Sequence, residues 1–194
     1  MKFRKDHLFS TVPLFLVSVS CFFIKLSEIP IRIWDEARNA NNAIHMMQYG
    51  NWLVPYYENA PDMWNTKPPL LIWIQAMLLK LLGINEFAIR LPSAIAACIT
   101  VFILWNFARK YFKDQWVGFF SGMVLLTSMA YVQNHSGRTG DYDALLVLFI
   151  TIYCTRFFSW VMEGKQKDYL QFWIFLILAV LTKGIVGVMM LPGL

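Results

Sequence analysis

Charged residues are scarce in this sequence. They make up 15% of its 194 residues, whereas hydrophobic residues make up 58%. Because an average soluble domain is about one quarter charged, this composition excludes an ordinary soluble domain and is typical of a membrane protein. Cysteine is rare too: Cys21, Cys98 and Cys154 lie in separate apolar segments, without a Cys or His partner at metal-ligand spacing. We therefore interpret them as small buried hydrophobic residues rather than zinc ligands.

Internal repeats, low-complexity linkers and a signal-peptide cleavage site are also absent from the sequence. Residues 1–7 are basic and the apolar run 8–26 is long, so we interpret this region as an uncleaved first span with a cytoplasmic N-terminus. The formal net charge of +5 could indicate a nucleic-acid partner. The basic residues instead flank apolar runs, a pattern that orients membrane spans, so no nucleic-acid partner is expected.

The apolar runs predict an all-α fold, a polytopic transmembrane helical bundle. Its spans are predicted at residues 8–26, 87–107, 116–132, 144–161 and 169–191. Segment 70–82 is harder to place, because a helix of that length reaches only about 20 Å into a hydrocarbon core of about 30 Å. If it crosses the membrane, the basic clusters at 109–113 and 164–167 lie outside. If it lies in the interface, both clusters lie inside, which the positive-inside rule favours.

The favoured topology leaves residues 27–86 as an external first loop with two interfacial helices, at 36–49 and 70–82. Asp35 stands at a cap position of the first of these helices, and Gly50 is its predicted terminator. The apolar residues of that helix are expected to share one face: Ala37, Ala40, Ile44 and Met47. Because the chain ends just after the last span, we expect residues 1–194 to be the N-terminal portion of a larger, truncated transmembrane domain.

Two acidic residues, Asp35 and Glu36, stand where the chain leaves the first span. They can cap a helix and complement its dipole. Alternatively, a carboxylate near a low-dielectric boundary can act as a general base, because its pKa rises there. Lys67 precedes two prolines that stiffen the backbone. Its ammonium group either snorkels to the lipid headgroups or contacts the phosphate of a lipid substrate.

A second polar island covers residues 135–143. Its imidazole, guanidinium and carboxylate groups belong to His135, Arg138, Asp141 and Asp143. Gly137 and Gly140 are expected to let the backbone approach a ligand closely. Asp143 can instead cap the helix that follows. A divalent metal can bridge the acids and the histidine, although their spacing matches no fixed ligand motif.

Lys183 lies inside the last apolar run. A lysine there is costly, which makes it a functional candidate by default, with snorkelling as the alternative. About fourteen helical residues place it roughly 20 Å into the span, near the external face. Acids and cations at an outer membrane surface suit transfer from a lipid phosphate. The cations can stabilise the leaving phosphate, and a carboxylate can take the proton from an incoming hydroxyl.

Six short stretches occur in an order that matches a known family. They are Asp35-Glu36-Ala37-Arg38, Tyr49-Gly50-Asn51-Trp52-Leu53-Val54-Pro55, Lys67-Pro68-Pro69-Leu70-Leu71, Asn85-Glu86-Phe87-Ala88-Ile89-Arg90-Leu91-Pro92, Arg138-Thr139-Gly140-Asp141-Tyr142-Asp143 and Leu181-Thr182-Lys183-Gly184. On these stretches the chain resembles the N-terminal part of the GT-C membrane glycosyltransferases, in the branch of the aminoarabinose transferase of lipid A and the protein O-mannosyltransferases. The resemblance implies a large inverting enzyme of the bacterial inner membrane. It also implies a polyprenyl-phosphate sugar donor, a glycolipid or protein acceptor, and an active site on the external face.

The resemblance also implies roles for individual residues. Asp35 corresponds to the first-loop catalytic acid and Asp143 to the second acid, while Lys67 and Lys183 correspond to donor-phosphate contacts. Four further charged residues of these stretches are expected to bind substrate: Glu36, Arg38, Arg138 and Asp141. Family members often carry a metal-binding glutamate immediately before the Lys-Pro dipeptide, but Thr66 occupies that position here. No cofactor is therefore assigned, and a divalent metal is left open.

A second class of function is compatible with the same residues. A non-catalytic polyprenyl-lipid transporter or assembly subunit would also carry external charges that bind headgroups. An acid placed beside cations at the level of a lipid phosphate favours the enzyme, because headgroup binding alone does not need a base.

Overall fold

The computed structural model describes residues 3–58, 60–133 and 135–194, with side chains described from Ser10 onward. Residues 1 and 2 of the predicted cytoplasmic N-terminus lie outside this range. The helices are α1 (Phe3–Phe23), α2 (Asp35–Tyr49), α3 (Leu70–Leu82), α4 (Glu86–Phe112), α5 (Gln115–Thr127), α6 (Met129–Val132), α7 (Asp143–Glu163) and α8 (Gln166–Lys183). Two short 3-10 helices follow, at Gly184–Val188 and Leu191–Gly193. The strands β1 (Tyr56–Tyr57) and β2 (Ala60–Pro61) pair antiparallel in the first loop.

Within the described residues, three helices are long and apolar enough to cross a membrane. They are Glu86–Phe112, Asp143–Glu163 and the helical stretch Gln166–Val188. Shorter apolar helices occur at Ser10–Phe23, Leu70–Leu82 and Gln115–Thr127. The all-α membrane fold predicted from the sequence is confirmed. Which face of the membrane each loop occupies stays a prediction.

Helix α4 lies at the centre of the bundle, where it packs against α1, α3, α5 and α7. Its buried face is rich in alanine, which lets neighbouring backbones come close. Small residues serve the same purpose on α5. A Cβ atom at Gly118 would lie 2.7 Å from the carbonyl oxygen of Trp105, and one at Gly122 would lie 3.0 Å from the side chain of Leu14. Close backbone contact therefore joins α5 to α1 and α4.

Two of the predicted spans are not continuous α-helices. The span expected at 116–132 breaks at Ser128, whose carbonyl oxygen starts α6 by accepting the backbone N–H of Tyr131 at 3.0 Å. The break lets the Tyr131 hydroxyl donate to the carbonyl of Ala97 on α4. In the span expected at 169–191, the α-helix ends at Lys183, because Gly184 adopts a positive φ of 60°. Local backbone geometry at Ser128 and Gly184, which hydropathy does not report, marks both ends.

The two first-loop helices form close to where they were predicted. Helix α3 covers Leu70–Leu82, and α2 covers Asp35–Tyr49, with Gly50 donating its backbone N–H to Met46 at 3.0 Å. The buried face of α2 differs from the expected one. It is formed by Glu36, Asn39, Ala40, Asn42, Ala43 and Met46. This face contacts protein, because α2 packs on α3 and on the loop before α7. Its polar residues form hydrogen bonds there, as Asn39 and Glu36 do with the backbone of that loop.

Candidate active site

Asp35 and Lys67 meet at the start of α2. The Lys67 Nζ atom lies 3.9 Å from Asp35 Oδ1 and 5.0 Å from the centre of the Tyr142 ring. The side chain of Asp35 is 54% exposed, so its carboxylate is open to a ligand. As the first residue of α2, it also lies at the positive end of that helix dipole. The structure thus brings together two residues that the sequence marked separately, a candidate base and a candidate phosphate contact.

Asp143 and Lys183 form an ion pair between the first residue of α7 and the last residue of α8. Both side chains are partly exposed. A Cβ atom added to Gly184 would lie 4.0 Å from Pro68 Cδ, so this pair lies beside the segment that carries Lys67. Each cation of the site is therefore next to a carboxylate. An incoming phosphate can compete with those carboxylates for the lysines.

Asp141 and His135 lie in the loop before α7. The Asp141 side chain is 7% exposed, and its Oδ2 atom lies 3.2 Å from His135 Nδ1. Burial raises the pKa of Asp141, although the nearby Thr139 hydroxyl and the His135 ring act in the opposite direction. The other oxygen, Oδ1, is buried without a partner at hydrogen-bonding distance in the described part of the chain. A buried carboxylate oxygen of this kind calls for a cation or a donor.

Glu36 is buried, and its carboxylate is fully occupied by protein donors. Its oxygens accept from Arg90 Nε at 2.7 Å and Nη2 at 3.0 Å, and from the backbone N–H groups of Arg32 and Gly140, each at 2.8 Å. Burial raises the pKa of Glu36, but the hydrogen bonds from Arg90 and the two backbone groups outweigh it, so the net pKa is lowered. This position favours a structural role over the substrate contact predicted from the sequence.

Arg90 is a residue whose role sequence reasoning missed. Besides Glu36, its guanidinium donates to the carbonyls of Leu26 at 2.9 Å, Ile29 at 2.6 Å and Pro30 at 3.0 Å. It therefore ties the chain leaving α1 to both α4 and α2. A signal was present in the sequence, because an arginine inside an apolar helix is rarely without a specific partner.

Gly137 and Gly140 approach protein side chains rather than a ligand. A Cβ atom at Gly137 would lie 2.5 Å from the Phe22 ring, and one at Gly140 would lie 2.5 Å from Ile89 Cγ2. The Gly140 carbonyl also accepts from Asn39 at 3.2 Å and from Gln75 at 3.0 Å. Together with the Gly140 N–H bond to Glu36, these contacts hold the loop against α2, α3 and α4. The expectation that the glycines admit a ligand is replaced by a packing role.

Substituting Gly140 with alanine is expected to lower the free energy of unfolding by about 1–3 kcal/mol, because overpacking of this size forces buried neighbours apart. The thermal unfolding midpoint of the purified protein in detergent measures the effect. Gly193→Ala is the matched control, because a Cβ atom there would meet nothing within 4 Å. An unchanged midpoint in Gly140→Ala would contradict the packing role.

Arg38 and Arg138 contact other parts of the molecule. Arg38 Nη1 donates to Asp62 at 2.9 Å, and its guanidinium lies over the rings of Tyr57 and Trp64. Arg138 donates to the carbonyls of Cys21 at 2.5 Å and Ile24 at 2.8 Å, at the end of α1. It also lines an open cavity of about 500 Å³ there. Among the described residues, neither arginine forms an ion pair with Asp35, and their predicted contacts with substrate stay predictions.

A buried amide network holds the first loop in place, and sequence reasoning did not identify it. Asn65 Nδ2 donates to Asn42 at 2.7 Å, and the Tyr142 hydroxyl lies 3.4 Å from Asn65 Oδ1. Asn42 also donates to Asp62 at 3.1 Å. The network joins α2, the loop before α3 and the start of α7, and so positions Lys67. The asparagines of α2 were a signal, because this residue type has low intrinsic helix propensity.

Comparison with known proteins finds relatives whose sequences match most of this chain. The chain is 29% identical over 181 residues to an undecaprenyl phosphate-alpha-4-amino-4-deoxy-L-arabinose arabinosyl transferase of Shewanella sediminis, covering 87% of this chain and 32% of the relative. It is 26% identical over 192 residues to an uncharacterised protein of Aquifex aeolicus, covering 97% of this chain and 36% of the relative. The chain therefore spans about a third of the length of these curated relatives.

The fold is also that of a solved structure. The crystal structure of ArnT from Cupriavidus metallidurans bound to undecaprenyl phosphate superposes with a TM-score of 0.85. It shares 22% sequence identity, over 96% of this chain and 34% of that chain. At this identity the likeness establishes the fold. The family follows from a match over most of the sequence: residues 66–194 fit the model of dolichyl-phosphate-mannose-protein mannosyltransferases, and the chain belongs to that family.

Proposed function

We propose that the protein is an integral-membrane glycosyltransferase that moves a sugar from a polyprenyl-phosphate donor to a hydroxyl or phosphate acceptor. The observation that carries this proposal is the exposed Asp35 carboxylate 3.9 Å from Lys67 Nζ, beside the Asp143–Lys183 pair. Family membership supports the reaction type, and the relatives named above support an undecaprenyl-type donor. We further propose that the site faces the outside of the membrane and that the acceptor is a glycolipid or a protein.

The reaction requires one bond to form and one to break at the anomeric carbon. An acceptor hydroxyl oxygen attacks that carbon, and its proton passes to Asp35. The bond between the anomeric carbon and the donor phosphate breaks, and its electron pair leaves on the phosphate oxygen. Attack opposite the leaving group inverts the anomeric configuration. With a phosphate acceptor there is no proton to remove, and Asp35 then orients the nucleophile.

The two lysines stabilise the leaving phosphate. Lys67 is held by Asp35 and by the face of the Tyr142 ring, so its ammonium is oriented before substrate arrives. Lys183 is oriented by Asp143 in the same way. Such preset charges act on the negative charge that develops as the bond breaks. Asp143 thus serves as the partner of a phosphate-binding lysine, and it is the second acid of the site.

Label transfer tests the function directly. Membranes that contain the full-length protein are supplied with a radiolabelled undecaprenyl-phosphate sugar, and label is followed into glycolipid, protein and released sugar. Transfer to one acceptor class that needs the protein would support the proposal and identify the acceptor. Donor binding without transfer to any acceptor would overturn it and favour the lipid-carrier class.

Exchanging Lys67 for glutamine is expected to lower kcat/KM for the donor by about 10–100-fold, because a hydrogen bond to a charged group contributes about 1.5–3 kcal/mol. Initial rates at varied donor concentration measure the change. Lys80→Gln is the matched control, because that lysine is exposed in the last turn of α3. A kcat/KM for the donor that stays the same in Lys67→Gln would remove this lysine from the phosphate site.

A further inference from the structure

We propose that the end of the bundle opposite the candidate active site holds a binding site for an anionic phospholipid. Helix α7 runs from Asp143, in the active site, to Glu163, and its 21 residues span about 30 Å. Hydrogen bonds and an ion pair join the far end of α7 to the end of α4 and the start of α8. A cavity of about 100 Å³ opens between α4 and α7 at this end. This basic cavity is lined by Lys110 and Arg156.

Both cations of the basic cavity are anchored and yet open to a ligand. Lys110 forms an ion pair with Glu163, and its side chain is 46% exposed. Arg156 Nη1 lies 3.0 Å from Asp168 Oδ1, and its side chain is 42% exposed. A guanidinium carries five N–H donors, and one hydrogen bond leaves most of them available. Because both residues line one small cavity, a single phosphate can contact both.

Neutral hydrogen-bonding groups surround these cations. The Tyr111 hydroxyl lies 2.8 Å from Ser159 Oγ and 2.9 Å from Glu163 Oε1. The Asn106 oxygen accepts from Arg109 at 3.0 Å, which leaves the N–H₂ group of that amide as a donor on the wall of the cavity. A phosphodiester offers only acceptor oxygens and one negative charge. Cations together with neutral donors therefore complement it.

The position of the cavity favours a lipid over a soluble anion. Lys110 is two residues from the end of α4, a helix long and apolar enough to cross a membrane. Ile103 and Phe107 also line the cavity, and Ile103 lies seven residues, or about 10 Å, deeper in the same helix. Trp160 and Tyr169 stack at this end, as is typical of the headgroup layer. The cavity thus has a charged mouth and an apolar floor, and basic pockets between membrane helices bind lipid headgroups.

The surrounding charge is positive. Residues 109–114 and 156–168 carry six basic side chains and three acidic ones. Each of the three acids already accepts from a protein donor. In the described part of the chain, Lys113 and Lys167 are exposed and take part in no ion pair. An anionic headgroup would offset this excess of positive charge.

Net charge alone would also attract anionic lipids, because basic residues that flank membrane spans do so without a defined site. A built site differs in that only the residues of the cavity determine binding. Lys113 provides the matched comparison. It is exposed, it is three residues from Lys110, and it does not line the cavity.

Lipid binding is tested on the purified full-length protein, freed of bound lipid in a non-ionic detergent. Phosphatidylglycerol is titrated in the presence of phosphatidylcholine, and native mass spectrometry counts the lipids retained. The wild type is expected to retain one phosphatidylglycerol per chain in preference to phosphatidylcholine. Lys110→Gln is expected to weaken this binding by at least about 10-fold, the usual loss for a hydrogen bond between charged groups. Lys113→Gln is expected to bind within about twofold of the wild type, since salt screens an exposed charge outside the cavity.

The substitutions are chosen so that the protein still folds. In Lys110→Gln, Glu163 keeps Lys165 at 2.6 Å and the Tyr111 hydroxyl. Arg156→Gln alone would leave the buried Asp168 without its cation, so it is combined with Asp168→Asn. This double variant is also expected to bind at least about 10-fold more weakly than the wild type.

Two results would overturn the site: equal affinity of the wild type for both lipids, or equal weakening in Lys110→Gln and Lys113→Gln. Displacement of phosphatidylglycerol by millimolar inorganic phosphate would assign the cavity to a soluble anion and overturn the lipid as its ligand. Lipids are counted without sugar donor or acceptor, so the outcome does not depend on the proposed function.

Discussion

Asp35→Asn is expected to lower the rate of sugar transfer by about 10²–10⁴-fold, the usual contribution of a general base. The amide keeps the size of the side chain but cannot accept the acceptor proton. It also no longer pairs with Lys67, which stays over the Tyr142 ring. Initial rates at saturating donor and acceptor, on protein matched for expression, measure the loss in kcat.

The control for this substitution makes the same change at another aspartate. Asp114 caps α5 by accepting the backbone N–H of Trp116 at 2.7 Å, and it is exposed. Asp114→Asn is expected to leave the transfer rate within a few-fold of the wild type. A rate in Asp35→Asn equal to that of the control would remove the catalytic role of Asp35. Loss of donor binding together with loss of rate would assign Asp35 to binding instead.

Glu36→Gln is expected to lower the free energy of unfolding by about 3–5 kcal/mol, as is usual when one partner of a buried ion pair is removed. The variant leaves Arg90, which is 2% exposed, without a counterion. It also replaces one of the two carboxylate oxygens with an amide N–H₂, so that one of the two backbone N–H groups, of Arg32 or of Gly140, then faces a donor instead of an acceptor. Chemical unfolding in detergent measures the change. Glu28→Gln is the control, because its pair with Lys25 is exposed and such pairs contribute about 0–1 kcal/mol.

The same pair predicts the acid sensitivity of the fold. Because the pKa of Glu36 is lowered in the folded protein from its ordinary value of 4.5, its stabilisation is complete above that value and is lost as the pH falls through the lowered pKa. The wild type should therefore lose more stability than Glu36→Gln on acidification below 4.5. Parallel losses in the two proteins would mean that the ion pair contributes little.

The sequence predicted the elements whose formation depends on near neighbours. Hydropathy identified the apolar helices. The polarity pattern and Gly50 gave the extent of α2, and the apolar run 70–82 gave that of α3. These features follow from periodicity and backbone preference, which act within a few residues. The breaks at Ser128 and Gly184 were missed, because they depend on local backbone geometry that hydropathy does not report.

The candidate site was predicted in part. Asp35, Lys67, Asp143 and Lys183 were identified as candidates from their residue types and from the family resemblance, with capping or snorkelling as the alternatives. The fold brings them to one region. What sequence alone could not provide was the choice of partners. Nothing local indicates that Asp143 pairs with Lys183, 40 residues away.

By itself, then, the sequence determined the membrane character of this protein, its helices and the residue types of its site. Only the tertiary structure decided which charges are buried supports and which are open to a ligand. Glu36 meets Arg90 across 54 residues and Gly140 across 104, whereas its neighbour Asp35 remains exposed. Adjacent carboxylates acquire different roles because successive residues on a helix point about 100° apart. One therefore faces the packed interior and the other faces the site.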